Sequence, residues 1–280
     1  MYSTVGLLKN AKHSGELSGT HQRLDRAARA MFREMAPKGT YFPSTKEILH
    51  FEGNRGPDGL KWKSPGADEP MHFILPDDDD GKLIQMILDH QFNLRQALIE
   101  KNEVRAAFEA AWMAHAITDG LTPAHHFPYQ EAVGELMSDR EYKKIFGKPV
   151  KGIMRGDTLA EAARNNWLYW GAEGLMTKHI AFEYGVGMVA NGMTKKALIP
   201  KLTREELEKY CDGKEIDITD EFYKSLHKVS RMKMYDVFRR KGWNTRLAYQ
   251  SREVLLPEIV KMITLGWLSS LPEASPKEKK

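Results

Sequence analysis

The chain has 280 residues, of which 41% are hydrophobic, enough to bury the core of one large domain. No apolar run approaches the roughly 20 residues that cross a bilayer, and residues 1–20 lack the apolar centre of a secretion signal. The sequence therefore leaves the localisation open between a cytoplasmic protein, as the chain stands, and a secreted protein from which a leader has been removed. The single cysteine, Cys211, excludes an intrachain disulfide and a thiolate zinc site. The net charge of +4 would favour a phosphate-bearing partner without requiring one.

Helical periodicity dominates the chain and predicts a single all-α domain over residues 1–280, without an internal repeat. An irregular arm, residues 1–19, precedes a helix for which Thr20 is the expected N-cap. A long ordered loop is expected between Pro37 and Pro76, where glycine, proline and polar residues abound. Further helices are expected over residues 82–99, 104–119, 159–184, 185–197, 222–241 and 244–268.

The remaining segments are expected to be peripheral. The composition of residues 131–158 predicts short helices in an insertion, and that of residues 202–220 predicts a polar excursion. Pro257 should kink or split the last helix, because proline has no backbone N–H and clashes with the preceding turn. Residues 272–280 are expected to be a flexible tail.

One stretch of the predicted helix 104–119 carries polar residues at a metal-binding spacing. His115 and Asp119 lie four residues apart, on one helix face, so an imidazole nitrogen and a carboxylate oxygen can reach the same ion. Gly120 and Pro123 should end the helix, and the chain then brings His125 back from another direction. Mixed nitrogen and oxygen donors without cysteine suit zinc or a similar divalent ion.

A second pair, His179 and Glu183, repeats the four-residue spacing far downstream. Either pair alone could be an exposed helical contact worth a few tenths of a kcal/mol. Small and apolar neighbours such as Ala114, Ile117 and Phe182 instead place these polar groups in the interior. A cation is a good partner for buried carboxylates and imidazoles.

Three further candidates complete a recognisable order: His21 in the first helix, and Asp58 and His72 in the long loop. The order and spacing of these residues, of His115, Asp119 and His125, and of His179 and Glu183 resemble the zinc-dependent phospholipase C and single-strand nuclease superfamily. The similarity spans residues 20–185. It implies an all-α domain with two or three zinc ions at the bottom of a cleft.

The resemblance also implies which residues share an ion. Asp58, His72 and His115 would hold one, bridged by Asp119 to another, and His125, His179 and Glu183 would hold a second. His21 and Asp119 would hold a third ion, which the family completes with an N-terminal tryptophan. This chain begins with Met1 and has no tryptophan before His21, so either processing of the chain or another donor, such as His13, would be needed.

Two details of the sequence bear on the site. The interval between His125 and His179 is longer than in the family's secreted enzymes and could shape a different cleft. His126 also follows Asp119, but the spacing to His125 fits the motif better. His126 is therefore expected to be an outer or surface residue.

The resemblance implies a zinc-dependent phosphoric-diester hydrolase of the phospholipase C type. In such a site a metal-activated water attacks the phosphodiester, and Asp58 is the candidate general base or water-orienting group. The alternatives are a single-strand nuclease of the same superfamily, a catalytically degenerate metal-binding scaffold and a di-iron carboxylate bundle, which normally carries more glutamate ligands. Phospholipid head groups and single-stranded nucleic acid both stay open as substrates, because neither a membrane-inserting loop nor a base-stacking platform stands out.

Overall fold

The computed structural model of the chain describes residues 19–52, 55–59, 73–77, 81–136, 154–211 and 216–272. Every regular element within these ranges is a helix, which confirms the all-α prediction. The arm at 1–18, residues 137–153 of the expected insertion and the tail at 273–280 lie outside them. The α-helices, numbered in chain order, are α1 (Thr20–Met35), α2 (Thr45–His50), α3 (Lys82–Ile99), α4 (Glu103–Gly120), α5 (Tyr129–Glu135), α6 (Leu159–Trp170), α7 (Leu175–Asn191), α8 (Lys195–Leu198), α9 (Arg204–Cys211), α10 (Ile218–Ser230), α11 (Met234–Lys241), α12 (Thr245–Gln250) and α13 (Leu256–Ser269).

The central helix is α4, and alanine makes its central position possible. The side chain of Asn102 caps it by accepting a hydrogen bond from the backbone N–H of Arg105. From Ala106 onward the helix is almost entirely buried against α3, α13 and α2. Because its alanines are small, neighbouring helices approach closely, and the Trp267 indole on α13 donates to the carbonyl of Ala110 at 3.0 Å.

The helix predicted over 159–184 is wrong as one element, because it breaks at a tight turn between Gly171 and Gly174. A Cβ on Gly174 would lie 2.5 Å from the carbonyl oxygen of Tyr169, and one on Gly171 would lie 2.4 Å from that of Trp167. Only glycine permits these close approaches. The turn folds α6 and α7 into a hairpin.

Two segments expected to be irregular contain helices. Within the predicted loop, α2 begins at a capping box in which Ser44 and Glu47 exchange side-chain and backbone hydrogen bonds. The polar excursion 202–220 contains α9. The first helix starts at Thr20 itself, with Gly19 as its N-cap.

The two closing helices of the prediction are instead α10, α11, α12 and α13. Lys233 with a φ of 52° and Gly242 with a φ of 67° reverse the chain at either end of α11. Pro257 sits in the first turn of α13, directly after a π-helical segment at Ser251–Leu255, so the expected disruption is confirmed. Within the described ranges, no helix has the length and apolar character needed to cross a bilayer.

Candidate metal centre

The first cluster of possible metal ligands joins three parts of the chain. His21 in the first turn of α1, Asp58 in the long connection after α2, and His115 in the middle of α4 each place one donor atom within 4.8 Å of the others. The Nε2 atom of His115 lies 3.6 Å from Oδ1 of Asp58. His115 is fully buried, whereas the Asp58 side chain is 24% exposed.

Asp119 extends this first cluster on the next turn of α4. Its Oδ1 lies 3.3 Å from Nε2 of His21, and its Oδ2 lies 3.3 Å from Nε2 of His115. The two imidazole rings stack at 4.1 Å and are nearly parallel. One buried carboxylate therefore contacts two histidines of the first cluster with different oxygens.

The second cluster contains His125, His179 and Glu183, again with one donor atom each within 4.8 Å. Helix α4 ends at Gly120, and Pro123 opens the 3₁₀ turn that carries His125, as the sequence predicts. One oxygen of Glu183, Oε1, lies 3.0 Å from Nε2 of His125 and 3.2 Å from Nε2 of His179.

These separations fit a shared ion. Two donors bound tetrahedrally to one zinc at about 2.0–2.2 Å lie roughly 3.3 Å apart, close to the 3.0–3.6 Å seen between the paired atoms of both clusters. A single ion pair could give one such distance. Two imidazole nitrogens meeting at one oxygen of Glu183 are the arrangement that a common cation holds together. The described residues can thus hold metal ions at two clusters.

Burial and opposite charges shape the electrostatics of the first cluster. Burial disfavours protonation of His115, but the carboxylates of Glu52, Asp119 and Asp58 outweigh it and raise the pKa of His115 to about 10. Burial would raise the pKa of Asp119, yet nearby positive charge and the hydrogen bond from His115 hold it well below its usual range. Without a metal, the carboxylates retain a proton on His115 as their cation.

In the second cluster the carboxylate is the charged partner. Burial would raise the pKa of Glu183, but nearby positive charge and the hydrogen bonds from His125 and His179 hold it well below its usual range. Burial lowers the pKa of His125, so its neutral form is favoured. A neutral imidazole beside an ionised carboxylate is the protonation state that metal binding needs.

The sequence interpretation missed two buried carboxylates behind the first cluster. The Nδ1 atom of His115 hydrogen-bonds Oε1 of Glu52 at 3.1 Å, and both side chains are fully buried. Asp25, one turn beyond His21 on α1, is also buried, and burial together with Glu52 raises its pKa well above its ordinary value. Asp25 could have been found from its four-residue spacing to His21. Glu52 could not, because only the tertiary fold brings it to His115.

An aromatic wall encloses the second cluster. Phe73 stacks on His125 at 4.7 Å and on Tyr129 at 5.1 Å. The hydroxyl groups of Tyr129 and Tyr169 hydrogen-bond each other, which joins the wall to α6. These rings restrict the imidazole orientations and exclude water from one side of the cluster.

Comparison of the chain with protein-family models, with curated proteins and with solved structures found no match at any level. The resemblance to the zinc-dependent superfamily therefore stays a prediction from the site residues.

Six of the eight predicted ligands make up the two clusters, a seventh, Asp119, contacts two histidines of the first cluster, and the eighth, His72, lies outside the described residues. His21 joins Asp58 and His115 as well as Asp119, whereas the resemblance placed it with Asp119 at a separate ion. His126 binds the carbonyl oxygen of Gly120 through Nε2 at 2.9 Å and stands in neither cluster. The alternative donor His13 is outside the described residues.

Proposed function

We propose that this protein is a zinc-dependent phosphodiester hydrolase of the phospholipase C and single-strand nuclease type. The observation that carries the proposal is the pair of clusters, in which imidazole nitrogens and carboxylate oxygens meet at metal-ligand separations, the first of them extended by Asp119. Two neighbouring divalent ions suit the displacement at a phosphodiester, whose attacking and leaving oxygens both need stabilisation.

The donor set favours zinc among divalent ions. His21, His115, His125 and His179 provide nitrogen donors, and Mg²⁺ and Ca²⁺ prefer sites built from oxygen alone. Bound zinc supplies a Lewis acid, which lowers the pKa of a water to about 7 and neutralises charge on the phosphoryl group.

The protein's own residues would then position the site and transfer the proton. Asp119 holds its carboxylate between His21 and His115, and its burial keeps it from rotating toward solvent. Asp58 is the partly exposed carboxylate, so it can accept a proton from an attacking water and pass it to solvent. Glu52 fixes the orientation of His115 through Nδ1, so that Nε2 faces Asp119.

The test is metal content together with turnover. Protein purified without chelator should carry two or three zinc ions and hydrolyse bis(p-nitrophenyl) phosphate, with activity lost on chelation and restored by zinc. Asp119→Asn should abolish turnover, whereas His227→Gln, a change of an exposed histidine on α10, should not. Fewer than two ions and no turnover after zinc addition would refute the hydrolase and favour a degenerate scaffold. Hydrolysis of phosphatidylcholine and of single-stranded DNA would then identify the substrate class.

A further inference from the structure

The α6–α7 hairpin presents an unusually apolar surface to solvent. Of the thirteen large hydrophobic side chains that are exposed in the described part of the chain, seven belong to this hairpin. Leu159 is 92% exposed, Trp167 71% and Tyr184 64%. We define the hairpin face by these seven residues: Leu159, Trp167, Leu168, Trp170, Ile180, Tyr184 and Met188.

Helix geometry aligns the exposed residues within each helix of the hairpin. Ile180, Tyr184 and Met188 follow each other at intervals of four and therefore line one side of α7. His179 and Glu183 belong to the inward side of the same helix. On α6, Asn165 and Tyr169 point inward, which leaves the two exposed tryptophans on the outer side. The exposed stripe of α7 thus points away from the side of that helix that carries His179 and Glu183.

Basic residues border the hairpin face. Helix α11 packs beside α7, where Lys178 donates to the carbonyl of Arg239 at 3.2 Å and Phe182 contacts Phe238. The exposed last turn of α11 contains Arg239, Arg240 and Lys241, and the exposed Lys195 and Lys196 follow the end of α7. Positive charge therefore borders the apolar stripe of α7 along one side and at its carboxyl end.

We propose that the hairpin face binds the surface of an anionic lipid bilayer. Indole and phenol rings favour the boundary between head groups and acyl chains, and exposed aliphatic side chains gain free energy by entering it. The basic border would meet the lipid phosphates. A single-stranded nucleic acid would use the rings and the positive charge, but it offers little to Leu159, Leu168, Ile180 and Met188.

This attachment is independent of phosphodiester hydrolysis. Because the exposed residues of α7 point away from the side that carries His179 and Glu183, they can hold the protein at a surface without occupying the candidate metal centre. Side chains on the outside of a folded hairpin reach only the interfacial region of a bilayer, so the attachment is peripheral and reversible.

Vesicle sedimentation tests the proposal with the full chain. The protein should bind vesicles of phosphatidylcholine with 30% phosphatidylserine, bind phosphatidylcholine vesicles less, and dissociate as salt rises. Trp167→Ser with Trp170→Ser should lower the partition coefficient by about tenfold or more. The matched control changes two exposed apolar residues elsewhere, Phe92→Ser with Val104→Ser, and should bind like the parent. Equal helicity and melting temperature would establish that each variant folds.

Four outcomes would overturn the proposal. They are no binding to anionic vesicles, binding that the tryptophan variant retains in full, a concentration-dependent dimer that only this variant loses, and displacement from vesicles by a single-stranded oligonucleotide. Asp119→Asn separates this proposal from the proposed function, because it should lose turnover and keep vesicle binding.

Discussion

Replacing Glu52 by glutamine tests whether the carboxylate behind His115 tunes the metal centre. Glutamine has nearly the same shape and can still accept from Nδ1, so the change removes charge while preserving the packing. Glu52 is the first among the carboxylates that raise the pKa of His115, and both partners are fully buried. The imidazole of the variant should therefore be a weaker donor at Nε2.

The expected loss is about 10- to 100-fold in zinc affinity, which corresponds to about 1.4–2.7 kcal/mol of binding free energy. Competition with a chromophoric chelator measures it directly. Glu205→Gln, which changes an exposed glutamate on α9, is the control and should not alter the affinity. A Glu52→Gln protein with unchanged zinc affinity and normal stability would refute the argument, because Glu52 would then be only a packing residue.

Three further predictions follow from the same geometry. Because the pKa of His115 is raised from 6.5 to about 10, the metal-free protein should lose stability as the pH rises from 6.5 to 10, by up to about 1.4 kcal/mol per pH unit. Below pH 6.5 its stability should not depend on this group. Urea unfolding at several pH values measures the effect, and a flat profile would contradict it. Gly174→Ala should lower the free energy of unfolding by about 1–3 kcal/mol, because its Cβ would lie 2.5 Å from the carbonyl oxygen of Tyr169. The control Gly192→Ala should be near neutral, because its Cβ would lie 3.5 Å from the nearest atom, the carbonyl oxygen of Val189. Equal denaturant midpoints for the two variants would show that the turn can relax. Glu183→Gln should remove about one zinc ion per chain and leave the cluster of His115 loaded, as measured by elemental analysis, and full metal content would place the second ion elsewhere.

Sequence patterns were most informative where local geometry alone decides the outcome. Residues four apart share a helix face in any context, so the pairing of His115 with Asp119 and of His179 with Glu183 could be predicted. The end of α4 could also be predicted, because Gly120 and Pro123 act on their own segment of backbone.

The sequence predictions failed where contacts between distant parts of the chain decide the local structure. The break between α6 and α7 lacks proline, and helical periodicity runs through Gly171 and Gly174 on both sides. Glu52 belongs to no motif, and it reaches His115 only because α2 packs against α4. Whether Trp167 is a core or a surface residue is likewise a property of the folded hairpin, not of its composition.

The distribution of the ligands along the chain has a consequence for biogenesis. Donors that meet in space come from α1, the loop after α2, α4, the 3₁₀ turn and α7, so they span residues 21–183. A ribosome must therefore release more than half of the polypeptide before both clusters can form, and their contacts close long loops. The carboxylates and imidazoles of the clusters can be buried as ion pairs before any metal ion binds. On the proposed function, metal uptake would then be a late exchange of protons for ions in an already assembled interior.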